Sequence, residues 1–286
     1  MKKLKRIVVG IDISEKSDHV LTRALNLANE QKADLFVVHA VRTPWLSVPS
    51  YFGSKDIGID TEGITKKIEK KLKTLNKESK VSCFVLVKEG NAEDIILYEA
   101  KLLRADMIVI GAHSKRKGRK GILGTTAQKV AHQSHLPVLI VKNSAKTPYK
   151  NILAPTDFER QSKQSVLFAK DIFRTSKISI VHAFETIYMD GPYAAVGRDL
   201  SQFNDVARSC AQQDLKDFMK DVSVKKGKLI EGEIYTKEAL LDYIKEGKYD
   251  LVVMGSRGTA GVNALLGSVA TYILRETSSD VLVYVQ

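Results

Sequence analysis

The residues of this 286-residue chain that could carry chemistry lie in two glycine-rich turns, each of which follows a short apolar run. The first turn begins at Gly111 and reaches the step Gly124-Thr125, and the second begins at Gly255 and reaches Gly267-Ser268. Glycine lets backbone N–H groups approach a ligand closely. A hydroxyl residue that opens a helix adds free N–H groups at the positive end of the helix dipole. Both turns therefore indicate phosphate binding, and a solvent-exposed loop capped by Ser or Thr is the alternative.

A carboxylate ends an early apolar run in each half of the chain, and it is one of several positions that occur twice. The spacing between matched positions stays between 143 and 145 residues, and chance apolar runs would not keep that order and spacing. The chain is therefore predicted to contain a duplicated domain. The matched pairs are Asp12 and Asp157, His39 and His182, Asp106 and Asp250, Gly124 and Gly267, and Pro137 and Asp280.

The elements that must position these residues follow from the apolar pattern. Short continuous apolar runs predict strands buried on both faces, and they alternate with longer segments of helical spacing. That alternation predicts an α/β fold of two doubly wound five-stranded parallel-sheet domains, residues 1–143 and 149–286, joined by a polar linker. Such sheets bind ligands beyond the carboxyl ends of their strands. We predict helices at residues 18–31, 66–77, 91–103, 126–134, 163–173 and 201–221, and loops at 45–65 and 187–198.

Positive charge is concentrated in the first half of the chain. Residues 1–143 contain 26 basic and 15 acidic side chains, whereas residues 144–286 contain 19 and 18. Such a basic field favours anionic ligands or partners. Five cations in the first glycine-rich turn can neutralise phosphate groups or bind a nucleic-acid backbone, and a solvated loop is the alternative. These cations are Lys115, Arg116, Lys117, Arg119 and Lys120.

The composition excludes several classes of protein. The two cysteines, Cys83 and Cys210, are too few for a disulfide framework or a four-thiolate zinc site, and we expect both in the core of a protein from a reducing compartment. His132 and His135 have no further ligand close in sequence, so the sequence requires no metal. No apolar run approaches the roughly 20 residues that span a bilayer, and the basic N-terminus lacks the features of a signal peptide. We therefore predict a cytoplasmic protein.

The repeated Asp and the two glycine-rich turns resemble the universal stress protein family, and the resemblance extends over nearly all of both halves. Nucleotide-binding members carry Gly-x2-Gly-x9-Gly-Ser/Thr after the fourth strand and an Asp at the end of the first. The resemblance implies that Asp12 and Asp157 accept a hydrogen bond from adenine, and that Ala40 and Ala183 offer backbone groups to the same ring. The residues that it implies around ribose and phosphates are Gly111, Gly124 and Thr125 in the first half and Gly255, Gly258, Gly267 and Ser268 in the second.

Neither half matches the family pattern fully. The first half keeps the nine-residue spacing, but Ser114 stands where the pattern has its second glycine. The second half keeps Gly258, but only eight residues separate it from Gly267. The resemblance therefore implies ATP or another adenine nucleotide as the ligand of at least one half, without deciding which half.

Signatures of a catalytic centre are absent from the sequence. It lacks the Gly-x4-Gly-Lys-Ser/Thr phosphate loop and the Gly-x-Gly-x-x-Gly turn after the first strand. It also lacks the Gly-x-Ser-x-Gly nucleophile elbow. These absences favour a binding protein over an enzyme, with slow ATP hydrolysis as the open alternative.

The resemblance also implies a biological role and an assembly. We expect a stress-response regulatory protein that acts through an unidentified protein partner. We also expect its two halves to form an internal pseudo-dimer in which residues 137–141 and 281–285 meet, and chains of this kind can form a further homodimer. A nucleotide-independent scaffold or an RNA-associated protein that uses residues 115–120 is the main alternative. A small apolar or lipid ligand beneath the loop at residues 45–52 is a third.

Overall fold

Two compact units make up the described part of the protein. The structure is a computed structural model that describes residues 3–14, 17–41, 60–77, 80–112, 123–144, 147–186, 201–232, 236–256 and 266–285. One unit contains Lys3–Lys117 and Gly124–Thr147, and the other contains Pro148–Gln286. They are called the N-terminal unit and the C-terminal unit below.

The N-terminal unit is a parallel sheet with the strand order β3-β2-β1-β4-β5. The sheet grows outward in both directions from the neighbouring strands β1 and β4, so the topological switch point lies between them. Its strands are β1 Arg6–Ile11, β2 Asp34–Val41, β3 Cys83–Glu89, β4 Met107–Gly111 and β5 Val138–Val141. Its helices are α1 Asp18–Gln31, α2 Thr61–Leu75, α3 Ala92–Leu102 and α4 Thr125–Gln133.

The C-terminal unit repeats this topology with the strand order β10-β9-β6-β7-β8, again with parallel pairing. Its strands are β6 Asn151–Pro155, β7 Lys177–Glu185, β8 Lys226–Gly232, β9 Leu251–Gly255 and β10 Asp280–Tyr284. Its helices are α5 Arg160–Ile172, α6 Ser201–Asp221, α7 Thr236–Gly247 and α8 Ser268–Glu276. The predicted α/β class with two repeated parallel-sheet domains is therefore confirmed. The predicted meeting of residues 137–141 and 281–285 stays a prediction.

Consecutive residues in the inner strands are buried, as the continuous apolar runs predict. Ile7, Val8 and Val9 of β1 are all 0% exposed, and so are Leu251 and Val252 of β9. Neighbouring residues of a strand point to opposite faces of the sheet. Burial of both therefore shows that helices cover both faces of each sheet.

One duplicated carboxylate fixes the start of the first strand in each unit. Asp106 Oδ2 accepts hydrogen bonds from the backbone N–H groups of Lys5 at 2.7 Å and Arg6 at 3.0 Å. Asp250 Oδ2 accepts the equivalent bonds from Lys150 at 2.7 Å and Asn151 at 2.8 Å. Each carboxylate lies just before a strand that neighbours the strand it holds, so these matched Asp residues have a structural role.

The structure contradicts the predicted start of α2 and the predicted position of Cys210. Helix α2 begins at Thr61, inside the predicted loop at residues 45–65, because the side chain of Asp60 caps the helix by accepting from Gly63 N at 2.7 Å. Cys210 is exposed on α6 and does not lie in the core. Cys83 is partly buried in β3, and this burial raises the pKa of its thiol. The Cys83 thiol therefore stays protonated at neutral pH.

Replacing the carboxylate at the start of β6 should destabilise the protein. Asp250→Ala removes the acceptor of two backbone N–H groups, and we expect a loss of about 1–2 kcal/mol in the free energy of unfolding. Urea unfolding measures this loss. Asp242→Ala is the matched control because Asp242 is exposed and makes a surface ion pair with Lys245. Equal stability of the two variants would contradict the structural role of Asp250.

Candidate functional site

A cavity of about 860 Å³ lies at the carboxyl ends of the strands of the C-terminal unit. Its walls come from the ends of β6, β7 and β9 and from the first turns of α5, α7 and α8, the location expected for ligand sites in open parallel sheets. The lining residues are Pro155, Thr156, Asp157, Glu159, Gln161, Ser162, Val181, His182, Ala183, Thr236, Leu240, Met254, Gly255, Ser256, Leu266, Gly267, Val269 and Ala270.

The cavity opens where β6 and β9 stop pairing. Their register contains two residue pairs, which end at Leu153 and Val252, whereas β6 stays paired with β7 as far as Pro155. The N–H of Thr156 donates to Val181 O on β7 at 2.9 Å, so the preceding residue faces β9. That residue is Pro155, which has no N–H to donate. The β6–β9 ladder therefore ends, and the two strands separate at the switch point.

A tight turn after β6 places Asp157 at the edge of the cavity. Thr156 Oγ1 lies 2.9 Å from Phe158 N, whose N–H it accepts, and 2.9 Å from Ser162 Oγ. Phe158 adopts a φ of 65°, a left-handed conformation that is unfavourable for a non-glycine residue. Its ring packs on the ring of His182 with 4.1 Å between centroids, and this contact stabilises the turn. The carboxylate of Asp157 is exposed, and its Oδ1 accepts from Glu159 N at 3.1 Å.

The two matched histidines connect neighbouring strand ends. His182 Nδ1 lies 2.8 Å from Thr156 O, and His39 Nδ1 lies 2.9 Å from Ile11 O. Because a carbonyl oxygen can only accept a hydrogen bond, Nδ1 is the protonated nitrogen in both rings. Each histidine therefore bonds to the residue before the matched Asp of its own unit. This shared bond supports the conclusion that Asp12 and Asp157 are equivalent positions of the repeat.

Glycine caps the helix that follows each glycine-rich turn. Gly267 is the N-cap of α8 and Gly124 is the N-cap of α4, and neither helix receives a side-chain cap. The first backbone bond of α8 runs from Thr271 N to Gly267 O at 2.9 Å. The N–H groups of residues 268–270 consequently have no partner inside the helix, and they lie at its positive end.

Gly255 is required by packing, whatever it does for a ligand. A Cβ atom at this position would lie 2.8 Å from the carbonyl carbon and 2.9 Å from the carbonyl oxygen of Gln161 in α5. Both are backbone atoms, which cannot move aside as a flexible side chain can. The close approach of α5 to β9 therefore disfavours every residue with a side chain at position 255.

Four of the predicted binding residues of the C-terminal unit line the same cavity: Asp157, Ala183, Gly255 and Gly267. Ser268 is the exposed first residue of α8 and is not one of the lining residues. Gly258 lies outside the described residues. The sequence analysis missed the hydroxyl residues Thr156, Ser162 and Ser256. The first and last of these are adjacent to predicted residues, so the position beside each motif residue was the available indication.

The predicted residues of the N-terminal unit lie at the equivalent strand ends. Asp12 follows β1, Ala40 lies in β2 and Gly111 ends β4. Gly124 N donates to Ala112 O at 2.7 Å, which holds the start of α4 and its residue Thr125 next to the end of β4.

Asp12 differs from Asp157 in its hydrogen bonds. Its Oδ1 accepts from the backbone N–H of Ser14 at 3.1 Å and also from the Ser14 hydroxyl. Its Oδ2 is buried and has no hydrogen-bond partner among the residues that the structure describes. Oδ1 of this carboxylate therefore bonds to Ser14, whereas Oδ2 bonds to none of the described residues.

Several predicted residues lie outside the described part of the chain. They include Ser114, the cations at residues 115–120 and the loop at residues 45–52, so the nucleic-acid and lipid alternatives stay predictions. In the ranges that the structure describes, His, Cys, Asp and Glu side chains form no group of three or more that could hold a metal ion. No helix in those ranges combines the length and the apolar character needed to cross a membrane.

Comparisons with known proteins agree with the duplicated fold. A family model described as the universal stress protein family matches residues 3–142 and again 148–285. A universal stress protein of Methanocaldococcus jannaschii is 29% identical over 143 residues, which are 50% of this chain and 84% of that protein.

Two solved structures resemble the whole chain. A functionally unknown protein from Pseudomonas aeruginosa PAO1 covers 98% of this chain and 92% of its own, with 17% identity and a TM-score of 0.74. A universal stress protein from Archaeoglobus fulgidus covers 98% of each chain, with 19% identity and a TM-score of 0.66. At these identities the two structures show the fold alone.

The packing role of Gly255 can be measured. Gly255→Ala places a methyl group against the backbone of α5, and we expect a loss of about 1–3 kcal/mol in the free energy of unfolding. Gly227→Ala in β8 is the control, because a Cβ there would meet the end of the flexible Met219 side chain. Urea unfolding of both variants should give the larger loss for Gly255→Ala. The reverse order would contradict a rigid contact between α5 and β9.

Proposed function

Because this chain belongs to the universal stress protein family, we propose that the cavity of its C-terminal unit binds an adenine nucleotide, ATP in the first place. One observation carries the proposal: Asp157, Ala183, Gly255 and Gly267, which the family pattern assigns to base, ribose and phosphates, all line one cavity of about 860 Å³. That volume lies within the range of roughly 300–1,000 Å³ found for small-molecule sites.

The two ends of the cavity suit the two ends of a nucleotide. The carboxylate of Asp157 and the backbone of Ala183 lie on neighbouring strand ends, where they can bind the polar edge of a base. The N-terminus of α8 begins beside Gly267 on the other wall, where its N–H groups favour an anion such as phosphate. Leu240, Leu266 and Val269 supply apolar surface between polar groups, as is usual in ligand cavities.

The arrangement of the lining residues favours binding over catalysis. The hydroxyls of Thr156 and Ser162 lie 2.9 Å apart and bond to each other, and the Nδ1 proton of His182 is committed to the Thr156 carbonyl. Among the described lining residues, no hydroxyl has a histidine positioned to remove its proton. The proposed role is that of a cytoplasmic stress-response regulator, which changes its interaction with a protein partner when nucleotide binds.

The contribution of Asp157 to base recognition can be tested with two nucleotides. In a nucleotide, the exocyclic amino group is the hydrogen-bond donor of adenine, and inosine lacks it. Protein stripped of bound ligand should bind ATP roughly tenfold more tightly than ITP in equilibrium dialysis, because one hydrogen bond to a charged acceptor is lost with ITP. Asp157→Ala should weaken ATP binding roughly tenfold and abolish the preference for ATP.

The control for this experiment is Asp214→Ala, which makes the same change of charge on the exposed face of α6, away from the cavity lining. It should bind both nucleotides as the wild type does. Failure of the wild-type protein to bind ATP, ADP or AMP below millimolar concentration would reject the proposed function. Retention of the ATP preference in Asp157→Ala would reject the role of this carboxylate.

A further inference from the structure

Ser256 carries a buried hydroxyl that bonds to none of the residues that the structure describes. The residue is 2% exposed and lines the cavity of the C-terminal unit, directly after Gly255 at the end of β9. Its backbone N–H donates to Tyr284 O at 2.8 Å. Its Oγ, however, has no hydrogen-bond partner among the described residues. A buried hydroxyl without a partner destabilises a protein, so such a group in a native fold calls for an explanation.

Other buried serines of the same unit bond their hydroxyls within the fold. Ser165, which is 0% exposed, donates to Ser162 O at 2.7 Å. Ser279, which is 6% exposed, donates to Tyr249 O at 2.7 Å. The unpartnered hydroxyl of Ser256 is therefore not a general property of serines in this core.

The N-terminal unit shows that the fold does not need a hydroxyl at this position. The residue equivalent to Ser256 is Ala112, which also follows the last glycine of its strand and is also 2% exposed. Ala112 N donates to Val141 O at 2.9 Å, as Ser256 N does to Tyr284 O. A methyl group thus satisfies the packing and the backbone bond. The additional oxygen of Ser256 therefore needs a reason other than packing and hydrogen bonding among the described residues.

The position of Ser256 supplies such a reason. The cavity that it lines is also lined by Gly267, the N-cap of α8, and by Ala270 in the first turn of that helix, where the helix N–H groups lack partners inside the helix. A serine hydroxyl turns about a single bond between staggered positions, so it can face a group in the cavity without movement of the backbone. A hydroxyl and helix N–H groups at the same cavity donate to the same class of ligand atom, an anionic oxygen.

We infer that the Ser256 hydroxyl donates a hydrogen bond to a phosphate oxygen of the nucleotide in the C-terminal cavity, together with the N-terminal N–H groups of α8. The inference rests on the proposed function and adds to it the residue at the first variable position of the Gly-x2-Gly segment, between Gly255 and Gly258. It also makes the two units unequal, because Ala112 cannot make this bond in the N-terminal unit. The hydroxyl is retained for the ligand and destabilises the protein while the cavity is empty.

The experiment compares two serine-to-alanine variants of the full chain. Ser256→Ala should weaken ATP binding roughly tenfold in equilibrium dialysis and leave adenosine binding unchanged, because adenosine has no phosphate. The same variant, stripped of ligand, should melt at a Tm about 2–4 °C higher than the wild type, because a buried unpartnered hydroxyl is gone. Ser279→Ala is the matched control: it should lower the Tm and leave ATP affinity unchanged, because its hydroxyl bonds to Tyr249 O near the amino ends of the strands, and neither residue lines the cavity.

The outcomes separate this inference from the proposed function. If the wild type binds ATP and Ser256→Ala binds it equally well, the inference is wrong and the proposed function stands. Weaker binding of both ATP and adenosine by Ser256→Ala, or a lower Tm for its ligand-free form, would show a structural role and overturn the inference. If the wild type binds neither ATP nor adenosine, both the function and the inference fail.

Discussion

The end of the hydrogen-bond ladder between β6 and β9 is the constraint on which the candidate site depends. A parallel sheet continues as long as each strand can exchange N–H and C=O groups with its neighbours. At Pro155 the donor toward β9 is missing, and the two strands part while β6 remains bonded to β7. The equivalent residue of the N-terminal unit is Gly10, which keeps its N–H, and there the β1–β4 register runs through four pairs up to Gly10 itself. A single proline thus makes the two otherwise similar sheets differ at the strand ends, where each sheet could bind a ligand.

The sequence was sufficient for the fold because the fold is encoded by pattern and repetition. Helices α1 and α6 begin and end at the predicted residues, α1 because its apolar residues follow helical spacing and α6 because a long polar segment follows a loop. The start of α2 could not be predicted, because the Asp60 cap precedes a segment that contains Gly63, and glycine argues against a helix. Cys210 was misplaced because the burial of a cysteine follows from which face of its helix meets the sheet, and composition does not contain that information.

The site could be predicted only where its residues belong to a motif. Asp157, Ala183, Gly255 and Gly267 were found in this way, and one cavity brings them together. Thr156 and Ser256 were missed because their roles depend on whether their hydroxyl groups have hydrogen-bond partners in the folded structure. Thr156 uses its hydroxyl to hold the turn around Asp157, whereas the hydroxyl of Ser256 bonds to none of the described residues. Neither property can be read from spacing.

The close approach of α5 to β9 affects how glycine patterns in such chains are interpreted. Gly255 is fixed by the backbone of Gln161 whether or not the cavity is ever occupied. Selection for a stable fold alone would preserve this glycine through long divergence, including in descendants that had lost every small-molecule partner. If this glycine were taken as a sign of nucleotide binding, the number of those descendants that still bind a nucleotide would be overestimated. Residues whose identity the scaffold does not demand are the better record of what a chain recognises.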